Sequence, residues 1–174
     1  DSGAHGLFIP HVSSLEKAEM AIQNTLYGNN INSRGVSTLS KSSLYDFDRQ
    51  ISYLSSENKY STVSIMIEDQ KGLSSIDKIL KLKNLSYIFL GTYDLYTSLK
   101  MNRRHKNVYS SEMYKLIKEI AIKCKKNGVK LGSHAPNSSV ANKLINCGVN
   151  LITLNVDITV MKIGFQKIIN EVKR

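Results

Sequence analysis

The chain has 174 residues, 24 Lys and Arg against 14 Asp and Glu, a formal net charge of +10, two cysteines and no tryptophan. That length fits one domain with a substantial core, and two cysteines outside any Cys-x-x-Cys pair argue against a disulfide scaffold or a zinc knuckle. No apolar run approaches the roughly 18 residues of a membrane span, and the lysines are scattered rather than gathered into a nucleic-acid-binding motif.

Strand-like and helix-like segments alternate along the chain. Gly6–Val12 reads as a buried strand, followed by a cap at Ser13-Ser14-Leu15-Glu16 and a helix carrying Leu15, Ala18, Ala21, Ile22 and Leu26 on one face up to Gly28. Residues 29 to 41 form a polar loop, long for a barrel connection and therefore a candidate active-site or subunit-contact loop. A helix is predicted from Ser43 to about Ser56, a strand over Thr62–Ile67, a helix over Leu73–Leu82 and a strand over Tyr87–Leu90. Asp94 leads a short helix ended by the basic loop Lys100 to Asn107. Ser111 to Asn127 is the clearest amphipathic helix, stopped by Gly128. Val129–Gly132, Ser138–Cys147, Val149–Leu154 and Met161–Val172 continue as strand, helix, strand and helix. Five βα units of one type result, with no linker between them. Cys124, inside a helical pattern, and Cys147 read as buried structural thiols.

Glu68 and Asp94 close consecutive apolar runs, Ser64-Ile65-Met66-Ile67 and Tyr87-Ile88-Phe89-Leu90-Gly91-Thr92-Tyr93, with a helix between them. Parallel strands joined by a crossover helix end on the same side of the sheet, and that edge is where α/β folds bind ligands. Two carboxylates there can share one hard divalent cation. The competing reading is local: Glu68 caps the next helix and Asp94 opens another, each satisfying free backbone N–H groups.

The wording around both acids, Ile67-Glu68-Asp69-Gln70-Lys71-Gly72-Leu73 and Gly91-Thr92-Tyr93-Asp94-Leu95-Tyr96-Thr97-Ser98-Leu99, resembles the HpcH/HpaI family of metal-dependent 2-oxo-acid aldolases and citrate lyase β subunits. The opening Asp1-Ser2-Gly3-Ala4-His5-Gly6-Leu7-Phe8-Ile9-Pro10-His11-Val12, the turn Arg34-Gly35-Val36 and the stretch from Gly148 to Asp157 are similar to that family in the same order. The resemblance implies a (β/α)₈ TIM-type barrel. Since such a barrel takes about 250 residues, residues 1–174 are expected to be its C-terminal portion, about strands 4 to 8 with their helices.

The resemblance also implies a site. Glu68 and Asp94 would be the metal ligands, with Mg²⁺ or Mn²⁺ expected and Co²⁺ an option; Met66, Gly91, Thr92, Tyr93 and Asp94 would contact a pyruvate-like 2-oxo acid, through backbone amides in the Gly91–Tyr93 segment. Asp1 falls on the family's partner of a catalytic His that lies upstream, together with a substrate-binding Arg. His11 and His134, at strand ends, and Arg34, on the long loop, are further pocket candidates, whereas His5 and His105 look incidental. Departures are visible: Thr92-Tyr93 stands for the usual Pro-Ala, Met66 for a Gln that touches substrate, and Asn155 for a common Gly. The implied reaction forms or cleaves a carbon–carbon bond through the enolate of pyruvate or a similar acid, with an aldehyde or acyl partner. A citrate lyase- or citrate synthase-like reaction on oxaloacetate or an acyl-CoA, and a catalytically silent scaffold, are the alternatives. A cytoplasmic homo-oligomer binding neither nucleic acid nor membrane is expected.

Overall fold

Runs buried largely on both faces define the central strands. In the segment Thr62–Ile67, Val63, Ile65 and Ile67 have no solvent exposure; neither do Ile88 and Leu90, nor Leu131 and Ala135 two strands further on. Successive strand residues face opposite sides, so these side chains share the helix-facing side. Each of the Val, Ile and Leu side chains stabilises the fold by about 1.5–3 kcal/mol through burial, and Ala135 by less. The computed structural model describes residues 2–28, 33–37, 39–46 and 50–172. Among them β1 (Gly6–Ile9), β2 (Thr62–Ile67), β3 (Tyr87–Leu90), β4 (Lys130–Ala135) and β5 (Leu151–Leu154) lie in chain order, every neighbouring pair parallel. The sheet curls into a half-barrel, an incomplete α/β barrel of the TIM type.

The crossovers carry α1 (Leu15–Thr25) and α2 (Gln50–Tyr60), then α3 (Gln70–Ile79), then α4 (Thr92–Ser98) and α5 (Ser111–Lys126), then α6 (Ser138–Asn146); α7 (Asp157–Glu171) follows β5. Ser14, Asp69, Ser110 and Asn137 cap α1, α3, α5 and α6 by accepting from backbone N–H groups in the first turn. Met113, Ile117, Ile120, Ala121 and Cys124 bury the inner face of α5. Cys124 is the structural thiol expected, its pKa pushed up to about 12 by burial.

Several expectations are corrected. β1 stops at Ile9 rather than Val12, because Pro10 has no N–H for the ladder and His11 turns left-handed at φ 56°. Nor is β1 buried: Leu7 and Phe8 are both 46% exposed, since β2 is its one partner among the described residues. The helix predicted from Ser43 is instead a short 3-10 turn, Lys41–Ser43, broken by left-handed Leu44 and Tyr45, with α2 running from Gln50 to Tyr60. Residues 47–49 lie outside the described residues, as do 29–32 and 38 of the long polar loop. α3 begins at Gln70, three residues before Leu73, because Asp69 caps it. α7 starts at Asp157 and, although amphipathic in sequence, buries none of its residues; Ile158, Val160, Ile163, Phe165 and Ile169 all remain exposed. No helix among the described residues is long and apolar enough to cross a membrane.

Candidate active site at the carboxyl edge of the sheet

Register sets the site. Ile67 pairs with Leu90, so the residues that follow, Glu68 and Gly91, emerge abreast at the carboxyl ends of β2 and β3. They continue the side of Met66 and Phe89, the concave face of the curled sheet. That Glu68 and Gly91 touch is evident from the glycine itself: a Cβ on Gly91 would lie 2.6 Å from Glu68 Cγ and 2.9 Å from Oε1. Gly91 therefore provides the space in which the Glu68 side chain lies.

Local chemistry frees Glu68 for this position. The capping of α3 falls to Asp69, whose Oδ1 accepts from Gly72 N–H at 2.6 Å, so the helix-cap reading of Glu68 is overturned. Glu68 instead receives His11 N–H on Oε2 at 2.8 Å, with His11 Nδ1 3.3 Å from the same oxygen. The Glu68 side chain is 10% exposed and that of His11 83%. The left-handed turn at His11 aims its amide across the end of β2, and the absence of a side chain on Gly72 lets the Val12 carbonyl approach α3 closely. Glu68 Oε1 has no hydrogen-bond partner among the described residues.

Asp94 stands in the first turn of α4, exposed, its carboxylate engaged by no hydrogen bond or ion pair among the described residues. Its placement keeps part of the helix-opening reading, since a carboxylate there complements the helix dipole. No acceptor among the described residues meets the backbone N–H groups of Thr92, Tyr93 or Asp94, as befits helix first-turn donors. α4 is tied down at its other end, where Gln70 N–H donates to Ser98 Oγ at 3.0 Å. Thr92 is buried and Tyr93 is exposed.

The structure places the other sequence candidates unevenly. Met66 is half-buried on β2, two residues before Glu68. His134, on β4, has Nδ1 3.3 Å from Thr153 Oγ1 of β5, and its carbonyl accepts from Tyr109 OH at 2.6 Å. Arg34 lies far from this edge: its guanidinium sits over the Tyr27 ring at 4.3 Å, and with His5 and Ser61 it lines a cleft of about 480 Å³ at the amino ends of β1 and β2. Asp1 lies outside the described residues. Asn155, at φ 57°, explains the departure from glycine, because asparagine tolerates the left-handed conformation that position adopts.

Tyr109 was missed in the sequence. It is 8% exposed and joins Thr92 to His134 through its hydroxyl. Burial pushes that hydroxyl above the usual phenol value, against the opposing pull of Thr92. A signal was available: Ser110 caps α5, which puts Tyr109 and Tyr114 at the two positions of a hydrophobic staple, and their rings lie 6.2 Å apart. The basic loop before it is held by Glu112, which accepts from Arg104 at 2.8 Å and pairs with His105 Nε2 at 2.6 Å. The Arg104 hydrogen bond, with help from His105, holds the Glu112 carboxyl below its ordinary value.

A curled parallel sheet with crossover helices and two carboxylates at its carboxyl edge defines a barrel-type α/β protein whose donor groups suit a hard cation. No group of three or more His, Cys, Asp or Glu side chains gathers as a metal cage among the described residues. The donor chemistry at the edge is therefore two carboxylates with open oxygens. The profile of the HpcH/HpaI aldolase/citrate lyase family matches residues 1–162, and the chain belongs to that family. It is 28% identical over all 174 residues to a 5-keto-4-deoxy-D-glucarate aldolase of Escherichia coli and spans 66% of that relative's length. A family protein of Burkholderia cenocepacia superposes with a TM-score of 0.86 at 21% identity, over 99% of this chain and 66% of that one. The citrate synthase SbnG superposes with a TM-score of 0.73 at 20% identity, over 97% of this chain and 63% of that one. These structural likenesses show the shared fold.

Proposed function

We propose that this chain is part of a divalent-metal-dependent aldolase that makes or breaks a carbon–carbon bond through the enolate of pyruvate or a similar 2-oxo acid. The observation that carries the reading is Glu68 at the carboxyl end of β2, relieved of capping by Asp69 and given room by Gly91, with Asp94 in the first turn of the helix that follows the neighbouring strand β3. Membership of an aldolase and lyase family supports it. Glu68 and Asp94 would hold Mg²⁺ or Mn²⁺, with Co²⁺ as an alternative, and the open Glu68 Oε1 together with the Asp94 carboxylate fits such an ion because it prefers oxygen donors and retains several waters. When bound, the cation supplies positive charge beside the keto oxygen, where negative charge develops during the reaction.

The chain's own groups do the remaining positioning. The free N–H groups of Thr92 and Tyr93 bind the substrate carboxylate, and Gly91 permits its close approach. The His11 amide fixes the rotamer of Glu68 by holding Oε2, leaving Oε1 to face the ligand. Met66 and Tyr93 shape the pocket wall. The general base is expected from a histidine outside these residues, oriented by Asp1. The chain would act as a cytoplasmic homo-oligomer on a small acid and an aldehyde or acyl partner, as the C-terminal portion of one barrel.

A second reading, a citrate lyase- or synthase-like reaction on oxaloacetate or an acyl-CoA, is favoured by Met66 in place of the glutamine of the aldolases. The discriminating experiment is exchange of the methyl protons of pyruvate in deuterated water by the intact protein with Mg²⁺ or Mn²⁺. Exchange supports the aldolase; no exchange but turnover of oxaloacetate or acyl-CoA supports the second reading; inertness toward all of them supports a silent scaffold.

A further inference from the structure

We propose that Tyr109 is a positioning residue that fixes the Gly91–Asp94 segment, and with it the substrate-carboxylate amides, against the end of β4. This rests on the reading of that segment given above. Thr92 and Tyr93 share Tyr109 as a partner: Thr92 Oγ1 lies 3.1 Å from Tyr109 OH, and the Tyr93 ring stands edge-on to the Tyr109 ring at 6.2 Å and 87°. The hydrogen-bond directions follow from proton count. Tyr109 has one hydroxyl proton, and the His134 carbonyl at 2.6 Å can only accept it. Thr92 must then donate to Tyr109, giving a directed chain from the end of β3 to the end of β4.

Tyr109 is itself tied down from several sides. Its ring packs on Tyr114, its N–H donates to Asn107 Oδ1 at 2.9 Å, and Ser110 beside it caps α5 through Met113 N–H at 3.3 Å. Thr92 is the first residue of α4, where a proline would set φ covalently. Threonine leaves that angle free, and the buried hydroxyl pair supplies the restraint instead. The same contact holds the half-exposed Tyr93 ring in one orientation beside Asp94, making it a fixed wall of the pocket.

The test uses the intact protein with Tyr109→Phe, Thr92→Val and the double variant. Three measurements are made: pyruvate KM and kcat in metal-supported proton exchange, backbone amide exchange at Gly91 and Leu95, whose N–H groups donate to the Ile67 and Gly91 carbonyls at 3.2 and 2.9 Å, and the urea midpoint. Thr92→Val removes the bond between Thr92 and Tyr109, and Tyr109→Phe removes that bond together with the one to the His134 carbonyl; each should raise pyruvate KM about tenfold or more, with a smaller fall in kcat, because binding of the carboxylate is common to ground and transition states. The double variant should be no worse than Tyr109→Phe alone, and Thr92→Ser should retain parental KM. Amide exchange at Gly91 and Leu95 should quicken in both variants while the rest of the barrel is unaffected. If the parent exchanges no pyruvate protons, the reaction is misread; faster amide exchange at Gly91 and Leu95 would then still uphold the strut. Parental KM in both single variants, additive losses in the double variant, or unchanged amide exchange would overturn it. Should Tyr109→Phe fail to fold, Thr92→Val breaks the same bond from the other side and decides the matter.

Discussion

Replacing Gly91 with alanine tests the site where its geometry is tightest. Gly91 has φ −77°, so alanine adopts its backbone without strain and the effect is confined to the added methyl. That methyl would lie 2.6 Å from Glu68 Cγ, 2.9 Å from Oε1 and 3.2 Å from Cδ. Ordinary carbon contacts begin near 3.5 Å, so the Glu68 side chain must retreat by about 1 Å. Retreat strains the 2.8 Å hydrogen bond from His11 N–H, and a shift of about 1 Å in a site can cost about 10²-fold in rate. Global stability should fall by only about 1 kcal/mol, the low end of overpacking, because the clash is with a movable side chain. Gly132→Ala is the control: its methyl would lie 2.6 Å from Phe89 Cδ2 on the same face, away from the carboxylates, and should cost stability without selective loss of metal affinity. Manganese titration and pyruvate proton exchange, read beside urea midpoints, separate the two. Parental metal affinity and exchange in Gly91→Ala would refute the claim that the Glu68 side chain works from the space this glycine leaves.

Asp94→Asn should weaken Mn²⁺ binding by about tenfold or more and leave the urea midpoint nearly unchanged, since an exposed carboxylate contributes little to folding; unchanged affinity would return Asp94 to a helix-opening role. With its thiol pushed up to about 12, Cys124 should resist iodoacetamide at pH 8 in the native state, and Cys147, raised by burial and partly lowered by Lys118, should react slowly but first; rapid native labelling of Cys124 would contradict the packing of α5. Residues 1–174 expressed alone should associate and lack proton exchange, because among the described residues β1 and β5 keep open edges and α7 keeps an uncovered apolar face; a monodisperse, active monomer on size-exclusion chromatography would contradict the barrel-portion assignment.

The order of strands and helices was legible because β2 and β3 are continuous apolar runs bounded by turn residues, and because α5 carries a clean apolar stripe. Pairing could be inferred from crossovers long enough to hold a helix, and all four strand pairs are parallel as that requires. What failed was local. Leu44 and Tyr45 have ordinary helix-compatible side chains, yet both adopt left-handed backbone and break the predicted helix. α7 has helical spacing, but spacing specifies a face and not what covers it.

At the site, composition pointed to two acids without assigning their tasks. Glu68 and Asp69 are adjacent and either could cap α3; only the 2.6 Å bond from Gly72 N–H to Asp69 shows which one does. The contact of His11 with Glu68 spans the whole crossover from β1 to β2 and has no signature in spacing. Tyr109 was hidden for the same reason, since its partners Thr92 and His134 belong to different βα units.

The most direct test of the central claim is Mn²⁺ binding to the intact protein, followed by electron paramagnetic resonance, with Glu68→Gln and Asp94→Asn measured alongside. The account predicts one ion per chain in the parent, a spectrum altered by pyruvate, and affinity lost by about tenfold or more in each variant. One ion bound with parental affinity in both variants would contradict it.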